Sequence, residues 1–216
     1  MVACMQHYLV NLIVSLTLLL GLTSPLFANT LSIRITDEMQ QAVADTVVEL
    51  IPGNSDLPRP STAGSIAQQN LTFVPFVSAY TAGTYIEFPN RDKTRHHVYS
   101  FSPAKTFEIE LYAGKPEAPV LFDKPGIVSI GCNIHDYMQA YVYIGESPFL
   151  AISDSEGKVH FDGLTDDTYQ LKLWHPWQKK DHDSLSLVLD HDTSIDLTLA
   201  VEQKQKPKAP KRGFGN

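Results

Sequence analysis

Short runs in which apolar and polar residues alternate extend along most of this chain. Residues 31–36 read LSIRIT, and residues 46–51 form a second run after a turn at residues 37–40. Alternation with a period of two places every second side chain on one face of a β-strand, so both runs predict half-buried strands. The body of the chain has no convincing apolar stripe with the helical period. The pattern therefore predicts an all-β protein.

Two further series of strand patterns follow a loop rich in Pro and Ser at residues 54–65. The first lies at residues 71–76, 83–88, 96–101, 107–112, 119–122, 127–132 and 139–144. The second lies at residues 149–152, 157–161, 169–174, 184–189 and 194–201. Seven short strands at the spacing of the first series predict a Greek-key sandwich or barrel.

The motif Cys132-x-x-His135-x-x-Met138 places a thiol, an imidazole and a thioether on one short segment. Apolar runs at residues 125–131 and 139–144 flank it, so the motif lies on the turn between two predicted strands. These are three ligands of a mononuclear blue copper site, which needs a second imidazole from a distant strand. Zinc prefers more thiolates or imidazoles and no thioether.

The second imidazole has two candidates, since His96 and His97 are adjacent in a predicted strand. Successive side chains of a strand point to opposite faces of the sheet. Only one of the two can therefore face the metal, and the other is expected to be a surface or supporting imidazole.

An apolar stretch at residues 9–22 precedes a possible cleavage site after Ala28. We interpret residues 1–28 as a secretory signal peptide, which predicts a periplasmic protein with no membrane segment after cleavage. A retained membrane anchor is the alternative, because the first residues lack Lys and Arg. Cleavage would remove Cys4 and leave Cys132 unpaired in an oxidising compartment, where a bound metal would occupy the thiolate.

Charge is divided unevenly between the body and the last fifteen residues. The full chain of 216 residues has 17 Lys and Arg against 24 Asp and Glu, yet residues 202–216 hold five of the basic residues and one of the acidic ones. The acidic body argues against a nucleic-acid partner. The basic tail, residues 202–216, is predicted to be disordered and solvated.

The segment from about residue 66 to residue 144 resembles the cupredoxins, the group of plastocyanin, pseudoazurin and amicyanin. The motifs that carry the resemblance are Gly83-Thr84, Phe88-Pro89-Asn90, His96-x-Val98, Phe122-Asp123-Lys124-Pro125-Gly126 and Cys132-x-x-His135-x-x-Met138. The resemblance implies a Greek-key cupredoxin sandwich that binds one type 1 copper ion through His96, Cys132, His135 and Met138. It favours His96 over His97 as the upstream ligand.

Two residues depart from the cupredoxin pattern. The chain has Ile134 where the family usually has Pro, and His97 where it usually has Asn. Over its whole length, the chain is similar to periplasmic cupredoxin-domain proteins of the methylamine utilisation type.

The flanking segments resemble the carboxypeptidase-regulatory or transthyretin-like sandwich, with the motif Asp154-x-x-Gly157-x-x-x-Phe161 as its hairpin. This implies a second small β-sandwich made of residues 29–53 and 147–201, with the cupredoxin domain at residues 54–146. The alternative is an N-terminal strand that belongs to the cupredoxin, with a C-terminal appendage.

These residues predict a single-electron carrier that is monomeric and is not an enzyme. No Ser-His-Asp, phosphate-loop or paired-carboxylate motif is evident, and His175 is expected to be solvated. The resemblance places a transient redox partner near His135, on a rim of Pro89, Ile134 and Tyr137, where Asp136 would favour a basic partner. The alternatives are a periplasmic copper-binding and delivery protein, and a binding module whose copper site is degenerate.

Overall fold

The computed structural model describes residues 28–54 and 63–210, and in these ranges every regular element is a β-strand. The all-β prediction is confirmed. The predicted signal peptide lies outside the described residues except for Ala28, as do residues 55–62 and the last six residues of the basic tail. None of the described residues forms a helix long and apolar enough to cross a membrane.

The strands number seventeen in the described part of the chain. They are β1 (Asn29–Thr36), β2 (Val47–Pro52), β3 (Ala63–Ser65), β4 (Ala67–Gln69), β5 (Thr72–Val74), β6 (Val77–Thr81), β7 (Thr84–Glu87), β8 (His96–Ser102), β9 (Lys105–Tyr112), β10 (Val120–Phe122), β11 (Gly126–Gly131), β12 (Gln139–Gly145), β13 (Phe149–Ile152), β14 (Lys158–Leu164), β15 (Asp167–Trp174), β16 (Leu185–Leu189) and β17 (Thr193–Thr198).

Strands β3 to β12 form what we call the central sandwich. One sheet has the order β6-β12-β11-β8-β9, the other has the order β10-β7-β3, and β4 pairs with β5 in a hairpin. Ile86 of the smaller sheet and Val128 and Val142 of the larger one belong to a single apolar core. This core holds the two sheets together because burial removes their apolar faces from water.

Strands β1, β2 and β13 to β17 form what we call the flanking sandwich. Its sheets have the orders β14-β1-β17 and β13-β2-β15-β16. Leu31 and Ile33 of the first sheet share a buried core with Leu50 and Leu171 of the second. Each sheet thus combines a strand that precedes the central sandwich with strands that follow it.

Aromatic side chains pack where the two sandwiches meet. Phe76 of the central sandwich lies 5.3 Å from Trp177, and Tyr141 lies 5.9 Å from Trp174, between ring centroids. The expectation that His175 is solvated is wrong. His175, which lies between Trp174 and Trp177 in the sequence, is buried, and burial lowers its pKa. Its Nδ1 accepts a hydrogen bond from the backbone N–H of Trp177 at 3.1 Å.

A buried carboxylate also links the sandwiches. Glu49 of β2 accepts hydrogen bonds from the Tyr143 hydroxyl at 2.7 Å and from the backbone N–H groups of Glu146 and Ser147 at 2.6 and 2.9 Å. Tyr143 lies in the last strand of the central sandwich, and the other two donors lie in the connection to β13. The charge of Glu49 is therefore compensated by donors that fix how the chain passes between the sandwiches.

The strand pattern at residues 71–76 differs from the structure. One strand was predicted there, but β5 ends at Val74 and β6 begins at Val77, with Pro75 between them. Proline has no N–H to donate to a sheet, so the strand in the predicted run ends before this residue. Three of the described strands lie outside the predicted runs. Strands β3 and β4 are missed because residues 63–69 read AGSIAQQ and do not alternate, and β6 is missed because no run was predicted between residues 76 and 83.

The basic tail has no regular secondary structure over residues 202–210. Two of its side chains nevertheless contact the body. The Gln203 amide donates to Asp37 at 2.7 Å, and the Lys206 ammonium lies 2.6 Å from a carboxylate oxygen of Asp45.

Candidate metal centre

Cys132, His135 and Met138 lie on the short loop that joins β11 to β12. The two strands pair up to Gly131 and Gln139, the last residues before the loop on either side. Within the loop, the Met138 N–H donates to the His135 carbonyl at 2.8 Å, and the Cys132 N–H donates to the Met138 carbonyl at 3.3 Å. The three side chains therefore project from a turn whose backbone is closed by its own hydrogen bonds.

His96 reaches this loop from β8, the strand beside β11 in the same sheet. Gly131 pairs with Tyr99, and this pairing brings the first residue of β8 next to the loop. The His96 side chain is 0% exposed. A residue far away in sequence thus supplies the second imidazole, as a copper site on a short loop requires.

The thiol and the two imidazoles form one compact cluster. The Cys132 Sγ lies 3.9 Å from His96 Nδ1 and 3.8 Å from His135 Nδ1. One ligand atom from each of the three residues lies within 4.8 Å of the others. With metal–ligand bonds of about 2.0 to 2.3 Å, a trigonal ion would separate sulfur from nitrogen by about 3.7 Å. The three donors are therefore spaced as they would be around a single ion.

The cluster lies at the edge of the central core, and its residues differ in their access to solvent. Cys132 is a free thiol that is 3% exposed, whereas His135 is partly exposed. Burial lowers the pKa of His135 and the neighbouring His96 lowers it further, while Asp92 opposes both effects. A lowered pKa keeps the imidazole neutral, which is the form that binds a metal.

Met138 is buried in the same core as Cys132. Both residues also line a cavity of about 380 Å³ beside the cluster. Met138 therefore lies close to Cys132, and its role as an axial ligand stays a prediction.

His97 lies outside the cluster, although its side chain is also buried. Its Nε2 lies 2.9 Å from the carboxylate of Glu108 on the neighbouring strand β9. The His97 ring also lies 5.7 Å from the Tyr99 ring. The structure thus brings His96, and not His97, to the thiol, in agreement with the alternation of side chains along β8.

Asp92 is a residue of this site that sequence reasoning missed. Its carboxylate lies 2.9 Å from His96 Nε2, on the side of the ring opposite Cys132. A carboxylate four residues before a candidate ligand is too common in sequences to be recognised as a signal.

The rim predicted around His135 is partly apolar. Ile134 is 47% exposed, and the Tyr137 ring lies 5.8 Å from the His135 ring. Pro89 is partly buried, and Asp136 is exposed. Tyr137 therefore packs beside the one side chain of the cluster that reaches solvent, and Ile134 and Asp136 adjoin it in sequence.

A line of Ser32, His160 and Asp162, which the sequence did not suggest, lies on the flanking sandwich. The Ser32 hydroxyl is 3.0 Å from His160 Nδ1, and His160 Nε2 is 2.8 Å from Asp162. Ser32 sits in the middle of β1, which pairs with β14 on one side and β17 on the other. Hydrolysis also needs free backbone N–H groups to bind an oxyanion, and strand pairing uses the N–H groups around Ser32. The backbone around Ser32 is therefore engaged in the sheet, and no oxyanion donors are assigned to this line of residues.

Several solved copper proteins are similar to part of this chain. A purple cupredoxin from Nitrosopumilus maritimus is 17% identical, with 38% of this chain and 99% of that chain covered and a TM-score of 0.35. A copper-containing nitrite reductase from Thermus scotoductus is 22% identical over 45% of this chain and 25% of that chain, with a TM-score of 0.37. Pseudoazurin from Methylobacterium extorquens is 24% identical over 39% and 76% of the two chains, with a TM-score of 0.34.

No protein-family model and no curated protein matches this chain. At identities and TM-scores this low, these similarities do not establish what this chain binds or does. Its ligand and activity must be argued from the chemistry of its own residues.

Proposed function

We propose that this chain binds one copper ion at His96, Cys132, His135 and Met138 and carries single electrons between redox partners. The observation that carries the proposal is the cluster of one buried thiol and two imidazole nitrogens within 4.8 Å. Thiolate and thioether sulfur favour copper over the harder cations, and two imidazoles suit both of its oxidation states. Copper bound at these donors would supply a one-electron couple.

The residues of the central sandwich are suited to hold such a site with little movement. Cys132 and His135 lie on a loop that is closed by backbone hydrogen bonds, and the His96 side chain is buried. Rigid positioning keeps the donors in one arrangement when the charge of the site changes, which favours rapid electron transfer. With all four residues as ligands, a bound copper ion would have no free position for a substrate, so substrate chemistry at the site is not expected.

His135 is the expected point of electron entry and exit. It is the cluster residue with access to solvent, and exposed Ile134 and Asp136 are its neighbours in sequence. A small apolar rim with one negative charge suits brief docking of a basic redox protein. The proposed setting is the periplasm, reached through the predicted signal peptide, where metal binding would protect an unpaired thiol.

The experiment is to load the purified chain with Cu(II), record its visible and electron paramagnetic resonance spectra, and then cycle it between reductant and oxidant. The expected result is a blue thiolate–copper spectrum that disappears on reduction and returns on oxidation, with one copper per chain retained after desalting. Copper binding without the blue spectrum would contradict the proposed ligand set.

The same experiment tests the alternative of copper delivery. A delivery protein would lose Cu(I) to a chelator of moderate affinity during the reduced part of the cycle. An electron carrier should retain the metal through repeated cycles. Loss of the metal on the first reduction would therefore overturn the carrier role while leaving the ligand set intact.

A further inference from the structure

Three hydrogen-bond donors converge on the carboxylate of Asp92. The Asn70 N–H donates to Oδ1 at 2.8 Å, and the Leu71 N–H donates to Oδ2 at 3.0 Å. The third donor is His96 Nε2, 2.9 Å from Oδ2. The Asp92 side chain is 13% exposed. These donors compensate the mostly buried carboxylate for the water that it has lost.

The hydrogen bond to Asp92 decides which nitrogen of His96 carries the proton. An ionised carboxylate only accepts hydrogen bonds, so the proton of a neutral His96 must be on Nε2. The lone pair of Nδ1 is then free, and Nδ1 is the atom that lies 3.9 Å from the Cys132 sulfur. Asp92 thus selects the tautomer that can bind a metal beside Cys132.

The two backbone N–H groups that donate to Asp92 belong to one turn. Asn70 and Leu71 join β4 to β5, and both adopt left-handed backbone conformations, with φ of 55° and 58°. Leu rarely adopts this conformation, because its Cβ crowds the backbone. In this turn, consecutive N–H groups point outward to the two oxygens of one carboxylate. The hairpin β4–β5 therefore holds Asp92 in place behind His96.

Asp92 is fixed from its own side of the loop as well. Its backbone N–H donates to the side-chain oxygen of Asn90 at 2.9 Å. The Asn90 side-chain amide donates in turn to the carbonyls of Thr94 and Tyr112 at 2.8 and 3.1 Å. The carboxylate is thus held by both its backbone and its side chain, as expected of a group whose position matters.

We propose that Asp92 is a positioning residue for the copper site, which presents His96 Nδ1 to the metal and stabilises the more positive oxidation state. Presenting the nitrogen does not require bound metal, whereas stabilising Cu(II) rests on the proposed function. A negative carboxylate bonded to a ligating imidazole makes that imidazole a stronger donor, and this favours Cu(II) over Cu(I).

The neighbouring pair of His97 and Glu108 provides a matched control. Its Nε2-to-carboxylate distance is also 2.9 Å, but the Glu108 side chain is 63% exposed and His97 lies outside the cluster. Removing the charge of Glu108 therefore changes an equivalent hydrogen bond, but on a histidine that is not a candidate ligand.

The first test uses the metal-free full chain with ¹⁵N-labelled histidine. Nitrogen chemical shifts in the nuclear magnetic resonance spectrum distinguish a protonated from an unprotonated ring nitrogen. We expect His96 in the unsubstituted protein to be protonated at Nε2 and unprotonated at Nδ1. A proton on Nδ1 would overturn the proposal, whether or not the protein binds copper. This readout does not depend on any variant folding.

The second test compares Asp92→Asn with Glu108→Gln after loading with copper. A side-chain amide has one acceptor oxygen and no negative charge, so the Asp92→Asn variant cannot accept from Asn70, Leu71 and His96 together as the carboxylate does. We expect Asp92→Asn to weaken copper affinity about 10- to 100-fold and to raise the reduction potential. Glu108→Gln should leave both unchanged. An unchanged potential in Asp92→Asn, or equal shifts in both variants, would overturn the role of Asp92.

These tests separate the two proposals. If the unsubstituted chain gives no blue copper spectrum, the proposed function fails. The tautomer of His96 in the metal-free chain then decides alone whether Asp92 positions the imidazole.

Discussion

The central and flanking sandwiches are built alike but differ in what they bury. The flanking core consists of aliphatic and aromatic side chains, and the hydroxyl of its Tyr169 is bonded to the Thr165 carbonyl at 3.1 Å. The central core includes Cys132 and Met138 and adjoins buried His96. Hydrocarbon side chains gain free energy from burial alone, whereas a buried imidazole must find partners to compensate for lost water.

We therefore expect the flanking sandwich to contribute mainly stability and the central sandwich to carry the function. The flanking sandwich can contribute stability whether or not a metal is present. The central sandwich places its polar cluster at the edge of the core, so part of its stability is expected to depend on a bound ion. The following predictions test that division.

The largest effect is expected for Cys132→Ser. A serine hydroxyl stays protonated where a thiol loses its proton to the metal, so the variant should lose the blue absorption and most of its selectivity for Cu(II). Thermal unfolding with and without copper supplies a second measurement. At a hundredfold excess of copper over its dissociation constant, the unsubstituted chain should gain about 2.7 kcal/mol, and the variant should gain little. A variant that stays blue would show that Cys132 is not a ligand.

The next largest effect is expected for substitution of His96, with the adjacent His97 as its control. His96→Ala should abolish the copper spectrum, because it removes a nitrogen of the cluster. His97→Ala should keep the spectrum, because His97 bonds to Glu108 instead. Absorption and electron paramagnetic resonance of the two copper-loaded variants provide the comparison. If His97→Ala lost the spectrum and His96→Ala kept it, the ligand would be His97, and this would contradict the arrangement of β8.

A substitution in the flanking core should affect stability and leave the site intact. Leu171 is 0% exposed, so Leu171→Ala should lower the free energy of unfolding by about 2 to 5 kcal/mol. Leu185→Ala, on the neighbouring strand at 37% exposure, is the matched control and should change it by less than about 1 kcal/mol. Chemical denaturation measures both. A folded Leu171→Ala protein without the blue spectrum would show that the sandwiches do not divide stability from function.

The smallest effect concerns Met138. A thioether binds copper weakly, so Met138→Gln should keep the metal and lower the reduction potential, because a harder oxygen donor favours Cu(II). Protein-film or solution voltammetry measures the change. If Met138 serves only as core packing, the potential should stay the same and only stability should fall. That result would remove Met138 from the ligand set.

Much of the site follows from local sequence. Cys132, His135 and Met138 are close in the chain, and flanking apolar runs place them on a turn between strands, so their proximity needs little information from the rest of the fold. The strands themselves follow from alternation that is visible in residues 31–36 and 139–144. A period of two depends only on residues that are close in the chain, so it is the same whichever strand pairs alongside.

Other features required the tertiary structure. Alternation shows that His96 and His97 face opposite sides of β8, but only the pairing of β8 with β11 decides which side meets Cys132. Asp92 joins the site because the hairpin β4–β5 packs its turn against it, a contact between residues twenty-two apart in the chain. The burial of His175 likewise depends on how the two sandwiches meet.

The physical reason is the range of the interactions involved. Local patterns were enough to predict most of the strands, the loop and three of the candidate donors, because these depend on side chains a few residues apart. The choice of His96, the support from Asp92 and the compensation of buried Glu49 depend on strand order and register. Those are settled by the packing of distant segments around shared cores, which no local pattern records.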